Sequence, residues 1–385
     1  MLPALPVTAP PSVADAVASL GRTEDVRFSP SRRRLALAAF VLNRVVVFDV
    51  EITTAREVPH VALTGGVQVS SSALRWPHGV EFLDEDTLIV TSRRGDVSLL
   101  ALPPGDPAVP THEVVPLARW PADPSTGLDA PGSVTVLHGE GGRCEVLVCN
   151  NAGHTVTRHV IEGRALTSSR VLLERCLAIP DGVCVSPDRR WIAVSNHTTH
   201  NVLLWENVPA LDARSEPDGI LRRAHYPHGL RFTPDGRHLF VADAGAPRLL
   251  VYARGDRQWR GVRAPLAALT IMDEATFRKG CHNPQEGGPK GIDIDPRGNV
   301  LAVTSEWQPL AFFDVPTLLD HARTFAGSAE TGGLELVHEL AMMQEIRDLT
   351  ATAADARAMQ QSVSWRITAP LRRVRAAFRR RAPGS

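Results

Sequence analysis

The sequence predicts an all-β fold, a six-bladed β-propeller, followed by a C-terminal α-helical tail, and three observations lead to this prediction. Residues 179–205 and 226–252 repeat one pattern, in which a Pro-X-Gly turn precedes an apolar run, a Ser/Thr-Pro-Asp turn and two further apolar runs. Such runs, bounded by Pro, Gly, Asp and Asn, are typical of strands joined by tight turns. The pattern occurs six times along the chain. It ends near residue 330, where helix-forming residues replace turn residues.

The six repeats have the spacing of propeller blades. They begin at Thr23, Pro77, Pro131, Pro180, Pro227 and Pro289, at intervals of 47 to 62 residues. Four strands and their turns fill such an interval, and a closed ring of blades protects strand edges that an open stack would expose. The outermost strands are less regular, and we expect segments such as 114–118 and 171–173 to supply them.

Composition divides the chain into three regions. We expect an N-terminal extension over residues 1–20, the propeller over 21–330 and a helical tail over 334–385. The tail begins with a proline-free stretch whose spacing predicts a helix with a narrow apolar seam. The seam residues are Met342, Ile346, Leu349, Ala353, Ala356 and Val363. Residues 364–385 contain seven arginines and no acidic residue, which favours a short basic amphipathic helix.

Composition also restricts the function and the compartment. The 42 basic and 42 acidic residues give a net charge of zero, and the repeats contain no basic stripe with aromatic residues, so no nucleic-acid partner is expected. The five cysteines form no paired spacing, which fits reduced thiols in the cytoplasm. Residues 1–11 lack a basic start and contain four prolines, which argues against a signal peptide.

The strand order of a propeller blade places two sets of side chains at one mouth of the central channel. The innermost strand follows the Pro-X-Gly turn, and the second strand returns to the same mouth. The X residues form a first ring of Glu24, His78, Gly132, Asp181, His228 and Lys290. The last residues of the second strands form a second ring of Asn150, Asn196, His197, Asp243 and Glu306, with Arg93 and Arg94 nearby. A concave mouth lined from six blades is the best candidate for a functional site.

The first ring contains groups suited to acid–base or metal chemistry. His78, His228 and Asp181 form a candidate general acid/base set, because imidazole titrates near neutral pH. The same groups and Glu24, with oxygens of the second ring, could hold a divalent ion. The alternative is structural, with each X side chain capping a turn or binding water. No Gly-x-Ser-x-Gly motif supports a serine hydrolase.

Two loops at this mouth are candidates for ligand contacts. One is the polar loop 196–201, and the other is an insertion over 261–288 that delays the sixth repeat. The candidate contacts are His197, His200, His282, Glu286 and Lys290. A long loop in a compact repeat is more often functional than idle. The alternatives are an ordinary hydrophilic loop and a packing excursion of the blade.

The repeats over residues 22–321 resemble the six-bladed propellers of the NHL and gluconolactonase (senescence-marker) groups. The resemblance rests on the Pro-His/Asp-Gly turns, the Ser/Thr-Pro-Asp turns at Ser186 and Thr233, and Val-Ala-Asp-Ala-Gly over 241–245. In the gluconolactonase group a metal at the channel mouth activates lactone or ester hydrolysis. The resemblance implies one divalent ion, Ca, Mg, Mn or Zn, with the ligands Glu24, Asn150, Asn196 and Asp243.

The segment 364–372, Ser-Trp-Arg-Ile-Thr-Ala-Pro-Leu-Arg, resembles a C-terminal signature of many bacterial glycosyltransferases and methyltransferases of cell-surface polysaccharide assembly. The resemblance covers nine residues and implies a setting rather than a reaction. That setting is the cytoplasmic side of a bacterial cell. The arginines of 364–385 beside Trp365, Leu371 and Phe378 favour docking of this segment to the inner membrane face or to a protein partner. The alternative is a solvated basic terminus.

The sequence is therefore compatible with three functions. The leading expectation is a propeller that binds a sugar-like or polyanionic small molecule, or a glycan, at its channel mouth within cell-surface polysaccharide assembly. The first alternative is a metal-dependent lactonase or esterase with a histidine of the channel mouth as acid/base. The second alternative is a protein-interaction scaffold that uses the mouth face and the tail.

Overall fold

The computed structural model of the chain describes residues 1–54, 58–281, 286–324 and 336–361, and within the last range the side chains of 340 and 342–353. These residues form six sheets arranged as the blades of a β-propeller, which confirms the predicted fold class. Within each blade consecutive strands pair antiparallel, beginning with the strand nearest the channel. The segment 364–372 and His282 lie outside the described residues.

The first half of the chain forms blades 1 to 3. It begins with strand β1 (Val7–Thr8) and helix α1 (Pro11–Ala18). Blade 1 contains β2 (Thr23–Phe28), β3 (Arg34–Ala39), β4 (Arg44–Thr53) and β5 (His60–Ser70). Blade 2 contains β6 (Pro77–Asp84), β7 (Thr87–Ser92) and β8 (Val97–Ala101), then β9 (Thr111–Glu113), which pairs with β5, and β10 (Ala118–Trp120). Blade 3 contains β11 (Pro131–His138), β12 (Arg143–Asn150), β13 (Thr155–Glu162) and β14 (Ala165–Leu173).

Blades 4 to 6 follow in the same order. Blade 4 contains β15 (Pro180–Val185), β16 (Trp191–Asn196), β17 (Asn201–Glu206) and β18 (Gly219–Leu221). Blade 5 contains β19 (Pro227–Phe232), β20 (His238–Asp243) and β21 (Arg248–Ala253), then β22 (Gly261–Arg263), which pairs with β18, and β23 (Ala267–Thr270). After helix α2 (Glu274–Gly280), blade 6 contains β24 (Ile292–Ile294), β25 (Val300–Val303) and β26 (Ala311–Asp314). Helices α3 (Val315–Thr324) and α4 (Leu336–Gln361) complete the described chain.

Two expectations about the outermost strands have different outcomes. Residues 171–173 belong to β14, the fourth strand of blade 3, as expected. Of residues 114–118, only Ala118 belongs to the fourth strand of blade 2, because β10 begins there and continues to Trp120.

Alternation along the strands builds the core between neighbouring blades. In β3, Leu35 and Leu37 pack towards blade 6, whereas Ala36 and Ala38 pack towards blade 2. Successive side chains of a strand point to opposite faces, so each blade is apolar on both faces. The described residues form six such clusters, one for each pair of adjacent blades.

The N-terminal extension joins the last blades to the first. Leu2 donates its N–H to the carbonyl of Thr270 in blade 5 (2.8 Å), and Leu5 donates to the carbonyl of Phe312 in blade 6 (2.7 Å). Strand β1 then pairs in parallel with β5 of blade 1. Leu5 is buried among residues of blades 1 and 6. Among the described residues blade 6 has three strands, and Leu5 of this extension donates a backbone hydrogen bond to its outer strand.

Helix α4 lies against the mouth-side loops of blades 3 and 4. Leu340 and Met343 join the core cluster between these blades. The side-chain oxygen of Gln344 accepts a hydrogen bond from the N–H of Cys176 (2.9 Å), and Arg347 pairs with Glu174 (2.5 Å). None of the helices in the described ranges is long and apolar enough to cross a membrane.

Candidate functional site

The residue before the proline of the Pro-X-Gly turn has a left-handed backbone in blades 2 to 5. The four residues and their φ angles are Trp76 (59°), Ala130 (50°), Ile179 (57°) and Tyr226 (55°). Residues other than glycine avoid this region, at a cost of about 1–3 kcal/mol each. The turn reverses the chain at the channel mouth and places the X residue at the start of the innermost strand. Such strain persists only where surrounding bonds hold it.

The last residue of the second strand supplies one of these bonds. Its side-chain oxygen accepts a hydrogen bond from the backbone N–H that lies two residues before the proline. The pairs are Asn150 with Asp129 (3.0 Å), Asn196 with Ala178 (2.6 Å) and Asp243 with His225 (2.5 Å). The second carboxylate oxygen of Asp243 pairs with Arg248 (2.9 Å).

These contacts bear on the metal ligands that the sequence suggested. The oxygens of Asn150, Asn196 and Asp243 each hold a turn within their own blade. The geometry therefore favours a structural role for all three, and their prediction as metal ligands together with Glu24 stays a prediction.

A second set of acceptors connects one blade to the next. The left-handed residues Trp76, Ile179 and Tyr226 each donate their N–H to a side chain just before the third strand of the preceding blade. The acceptors are Asn43 Oδ1 (2.7 Å), His154 Nδ1 (3.0 Å) and His200 Nδ1 (3.1 Å), respectively. His200, which the sequence analysis placed among the ligand contacts, therefore links blades 4 and 5 by a hydrogen bond; we call this its bracketing role. Its role as a ligand contact stays a prediction.

Five of the six first-ring residues meet at the channel mouth, and we name them the mouth cluster: Glu24, His78, Asp181, His228 and Lys290. His228 Nδ1 lies 2.5 Å from Asp181 Oδ2, and His78 Nε2 lies 3.5 Å from Asp181 Oδ1. Glu24 Oε2 lies 3.7 Å from Lys290 Nζ and 3.9 Å from a ring nitrogen of each histidine. All five side chains are at most 4% exposed. The structure thus brings the candidate acid/base residues His78, His228 and Asp181 into contact.

Blade 3 differs because its X residue is Gly132, and the side chain of Asn151 lies there instead. Asn151 Nδ2 donates to Asp181 Oδ1 (2.8 Å) and to the carbonyl of Pro180 (3.0 Å). A Cβ atom at Gly132 would lie 2.4 Å from Asn151 Oδ1, so the glycine is required for this arrangement. Sequence reasoning missed Asn151, although a glycine at an otherwise polar ring position was the available signal.

The insertion brings Glu286 to the rim of the mouth cluster. Glu286 Oε1 lies 2.7 Å from His197 Nε2, and Oε2 lies 2.6 Å from Lys290 Nζ and 3.6 Å from His228 Nε2. The side chains of Glu286 and His197 are 10% and 15% exposed, so they form the boundary between the cluster and solvent. Among the predicted ligand contacts, Glu286, His197 and Lys290 therefore lie together.

Two arginines balance the carboxylates of the site. Arg93 Nη2 lies 2.6 Å from His78 Nε2 and 3.1 Å from Asp181 Oδ1. Arg22, which sequence reasoning missed, pairs with Glu24. With Lys290 these groups supply three positive charges against three carboxylates, those of Glu24, Asp181 and Glu286. The site therefore combines many donors and acceptors without a large net charge.

Burial and neighbouring charges separate the titration of the two cluster histidines. Burial and the Arg93 guanidinium lower the pKa of His78 to about 3, so this ring is neutral at pH 7. Burial also opposes protonation of His228, but the Asp181 carboxylate raises the pKa of His228 above its ordinary value. Burial opposes ionisation of Glu24, yet Lys290 and Arg22 lower its pKa to about 2.

A second charged layer lies along the inner strands of the channel. Arg27 pairs with Asp25 (2.5 Å) and Glu81 (3.2 Å), and Arg231 pairs with Asp293 (2.7 Å). Burial raises the pKa of Asp25 and Asp293 to about 7 and that of Glu81 to about 8. These residues bind one another across blades 1, 2, 5 and 6 and were not singled out by sequence reasoning.

One group of described side chains has the spacing of a metal site. The donor atoms of His197, His228 and Glu286 all lie within 4.8 Å of one another. Two imidazoles and one carboxylate are a common ligand set for zinc and related ions. The Lys290 ammonium, 2.6 Å from Glu286 Oε2, would compete with a cation for that oxygen.

Comparisons with known proteins add no family. No protein-family model and no curated protein sequence matches this chain. Among solved structures, a functionally unknown protein from Desulfotomaculum acetoxidans DSM 771 is 11% identical, with a TM-score of 0.47 over 76% of this chain and 83% of that chain. A luciferin-regenerating enzyme is 13% identical, with a TM-score of 0.49 over 74% of this chain and 85% of that chain. Neither likeness bears on the chemistry of the site.

Replacement of His200 tests its bracketing role. His200→Ala leaves the N–H of Tyr226 without its acceptor and should lower the free energy of unfolding by about 1 kcal/mol. His200→Asn should lose less, because Asn43 performs the same task between blades 1 and 2. Urea denaturation at pH 7 measures both. Equal losses in the two variants, or none, would show that the hydrogen bond from Tyr226 to His200 does not support the turn.

The lowered pKa of His78 predicts a pH dependence of stability. Below the ordinary value of 6.5 the unfolded chain binds a proton at His78 that the folded chain does not bind. The free energy of unfolding should therefore fall by about 1–2 kcal/mol between pH 7 and pH 5 through this residue. His78→Gln should remove that part of the decrease, whereas His112→Gln, at an exposed position, should retain it. The same decrease in both variants would show that His78 titrates normally.

Proposed function

We propose that this chain is a propeller that binds a small hydroxyl-rich ligand, such as a sugar, at its channel mouth. The observation that carries the proposal is Glu24 Oε2, a buried carboxylate oxygen with no hydrogen bond among the described residues. It faces Lys290, His78 and His228 at 3.7–3.9 Å. An unmade hydrogen bond at a buried acceptor is costly, and a ligand hydroxyl would supply it.

The charge balance supports a neutral polyhydroxyl ligand over a strongly ionic one. Three carboxylates face three basic side chains and His228, whose pKa is raised above its ordinary value, so the site carries only a small net charge and a strongly ionic ligand gains little net attraction. Hydroxyl groups both donate and accept hydrogen bonds, and they can bridge Glu286 at the rim to Lys290 and Glu24 below. His197 and Glu286, which are partly exposed, would be the first groups that a ligand meets.

The setting is part of the proposal. The C-terminal signature at 364–372 supports a place in bacterial cell-surface polysaccharide assembly, at the cytoplasmic side of the inner membrane. The basic segment 364–385 is proposed as the contact with that membrane or with a protein partner, and the ligand is then a sugar or glycan of that system.

A second candidate function is a metal-dependent lactonase or esterase. It is favoured by the spacing of His197, His228 and Glu286, which would be the protein ligands of one divalent ion. When bound, such an ion supplies Lewis-acid polarisation of the acyl oxygen or a water of lowered pKa. Asp181, 2.5 Å from His228 Nδ1, would orient that ring and raise its basicity.

The two lysines of the chain provide a matched test. Lys290→Met should weaken binding of the ligand about tenfold or more, because it removes a buried charged donor. Lys279→Met, at an exposed position of α2, should have no effect. The probes are glucuronic acid and the methyl glycosides of glucose, galactose and N-acetylglucosamine. Their binding to the full chain is measured by saturation-transfer NMR.

Removal of metal ions with a chelator distinguishes the two candidate functions. Binding that persists after EDTA treatment supports the binder, whereas binding or ester turnover that requires added Zn²⁺ or Mn²⁺, and is lost in His197→Gln, supports the hydrolase. Equal binding by the Lys290→Met and Lys279→Met proteins, or no binding of any probe to the parent, would contradict the proposed sugar site.

A further inference from the structure

A groove lies between helix α4 and the mouth-side loops of blades 3 and 4. It has a volume of about 460 Å³, within the range of small-molecule sites. On the helix it is lined by Ile346, Leu349, Thr350 and Ala353. On the propeller it is lined by Asn151, Ala152, His154 and Ile179. The lining is mainly apolar, in contrast to the charged mouth cluster beside it.

Asn151 connects this groove with the mouth cluster. It lines the groove, and its Nδ2 atom donates to Asp181 Oδ1 of the cluster at 2.8 Å. Its Oδ1 atom is buried and has no hydrogen bond among the described residues, while the residue as a whole is 4% exposed. A ligand that crosses from the cluster into the groove would pass over this side chain. The groove and the cluster thus adjoin at Asn151.

The helix offers an apolar flank that its packing against the propeller does not use. Leu340 and Met343 are buried against blades 3 and 4, whereas Ile346 and Leu349 are 39% and 65% exposed. At 3.6 residues per turn, Ile346 and Leu349 lie roughly 60° and 120° around the helix from Met343. They belong to the seam that the sequence pattern predicts. Three described residues of that seam, Ile346, Leu349 and Ala353, line the groove beside the mouth.

We infer that the ligand is amphipathic: a glycoside whose hydroxyl-rich head binds at the mouth cluster and whose alkyl or aryl group lies in the groove along α4. The inference rests on the proposed sugar-binding function and specifies its ligand class. The groove supplies a mainly apolar wall next to the charged cluster. An alkyl group in the groove would cover Ile346 and Leu349 on the helix and Ile179 on the propeller.

The test compares methyl, hexyl and octyl β-D-glucoside, each kept below its micelle concentration, by calorimetric titration of the full chain. Each methylene group that becomes fully buried should tighten binding about fourfold. Hexyl glucoside should therefore bind at least about tenfold more tightly than methyl glucoside, even if only two methylene groups are buried.

Variants of α4 locate the alkyl group. Ile346→Asp and Leu349→Asp should each reduce the gain from methyl to hexyl glucoside to less than about threefold, with affinity for methyl glucoside unchanged. Thr352→Asp adds the same charge on an exposed part of the helix outside the groove and should preserve the gain.

The outcomes distinguish this inference from the function on which it rests. If no glucoside binds, including methyl glucoside, the proposed function fails. If methyl glucoside binds but affinity does not increase with alkyl length, as it would if residues 362–385 filled the groove, the function stands and the inference is overturned. A gain that Ile346→Asp and Leu349→Asp leave intact also overturns it, because the alkyl group then lies elsewhere.

Discussion

The site depends on a backbone constraint that recurs around the ring: a left-handed residue directly before the proline of each Pro-X-Gly turn in blades 2 to 5. Bulky residues such as Trp76, Ile179 and Tyr226 adopt this conformation only under external support. One acceptor comes from the end of the second strand of the same blade, and in three blades another comes from the preceding blade. The two sets of hydrogen bonds fix the turn, and the turn places the X side chain at the channel mouth.

This constraint divides the polar residues of the mouth into two groups. The first group accepts hydrogen bonds from backbone N–H groups and so supports the turns. Its members are Asn150, Asn196, Asp243 and His200. The second group consists of the X residues, whose side chains contact one another instead of the turns. Glu24, His78, Asp181, His228 and Lys290 consequently form a buried network of ion pairs, which contributes little to net stability because desolvation offsets the attraction. Such a network is better explained by recognition than by folding.

The sequence predicts much of this, because a repeated pattern fixes which residues are equivalent. Blade number, the first ring and the approach of Glu286 to Lys290 follow from the Pro-X-Gly register and the position of the insertion. Asn196 and His200 accept hydrogen bonds from backbone N–H groups of the turns. These roles depend on φ angles and on partners in other segments, which the residue type does not reveal. Asn151 is a side chain that fills the space of Gly132, and the groove arises because α4 packs through Met343 rather than through the predicted seam.

The most direct test of the central claim, that the mouth cluster is a recognition site, is NMR of the full chain labelled with ¹³C at histidine Cε1 during titration with a methyl glycoside. His197→Gln and His228→Gln variants assign the two relevant signals. We predict saturable shifts of both signals, with the signal of the exposed His112 unchanged. Shifts confined to surface histidines, with His197 and His228 unmoved at saturation, would show that the cluster belongs to the frame and that the ligand binds elsewhere.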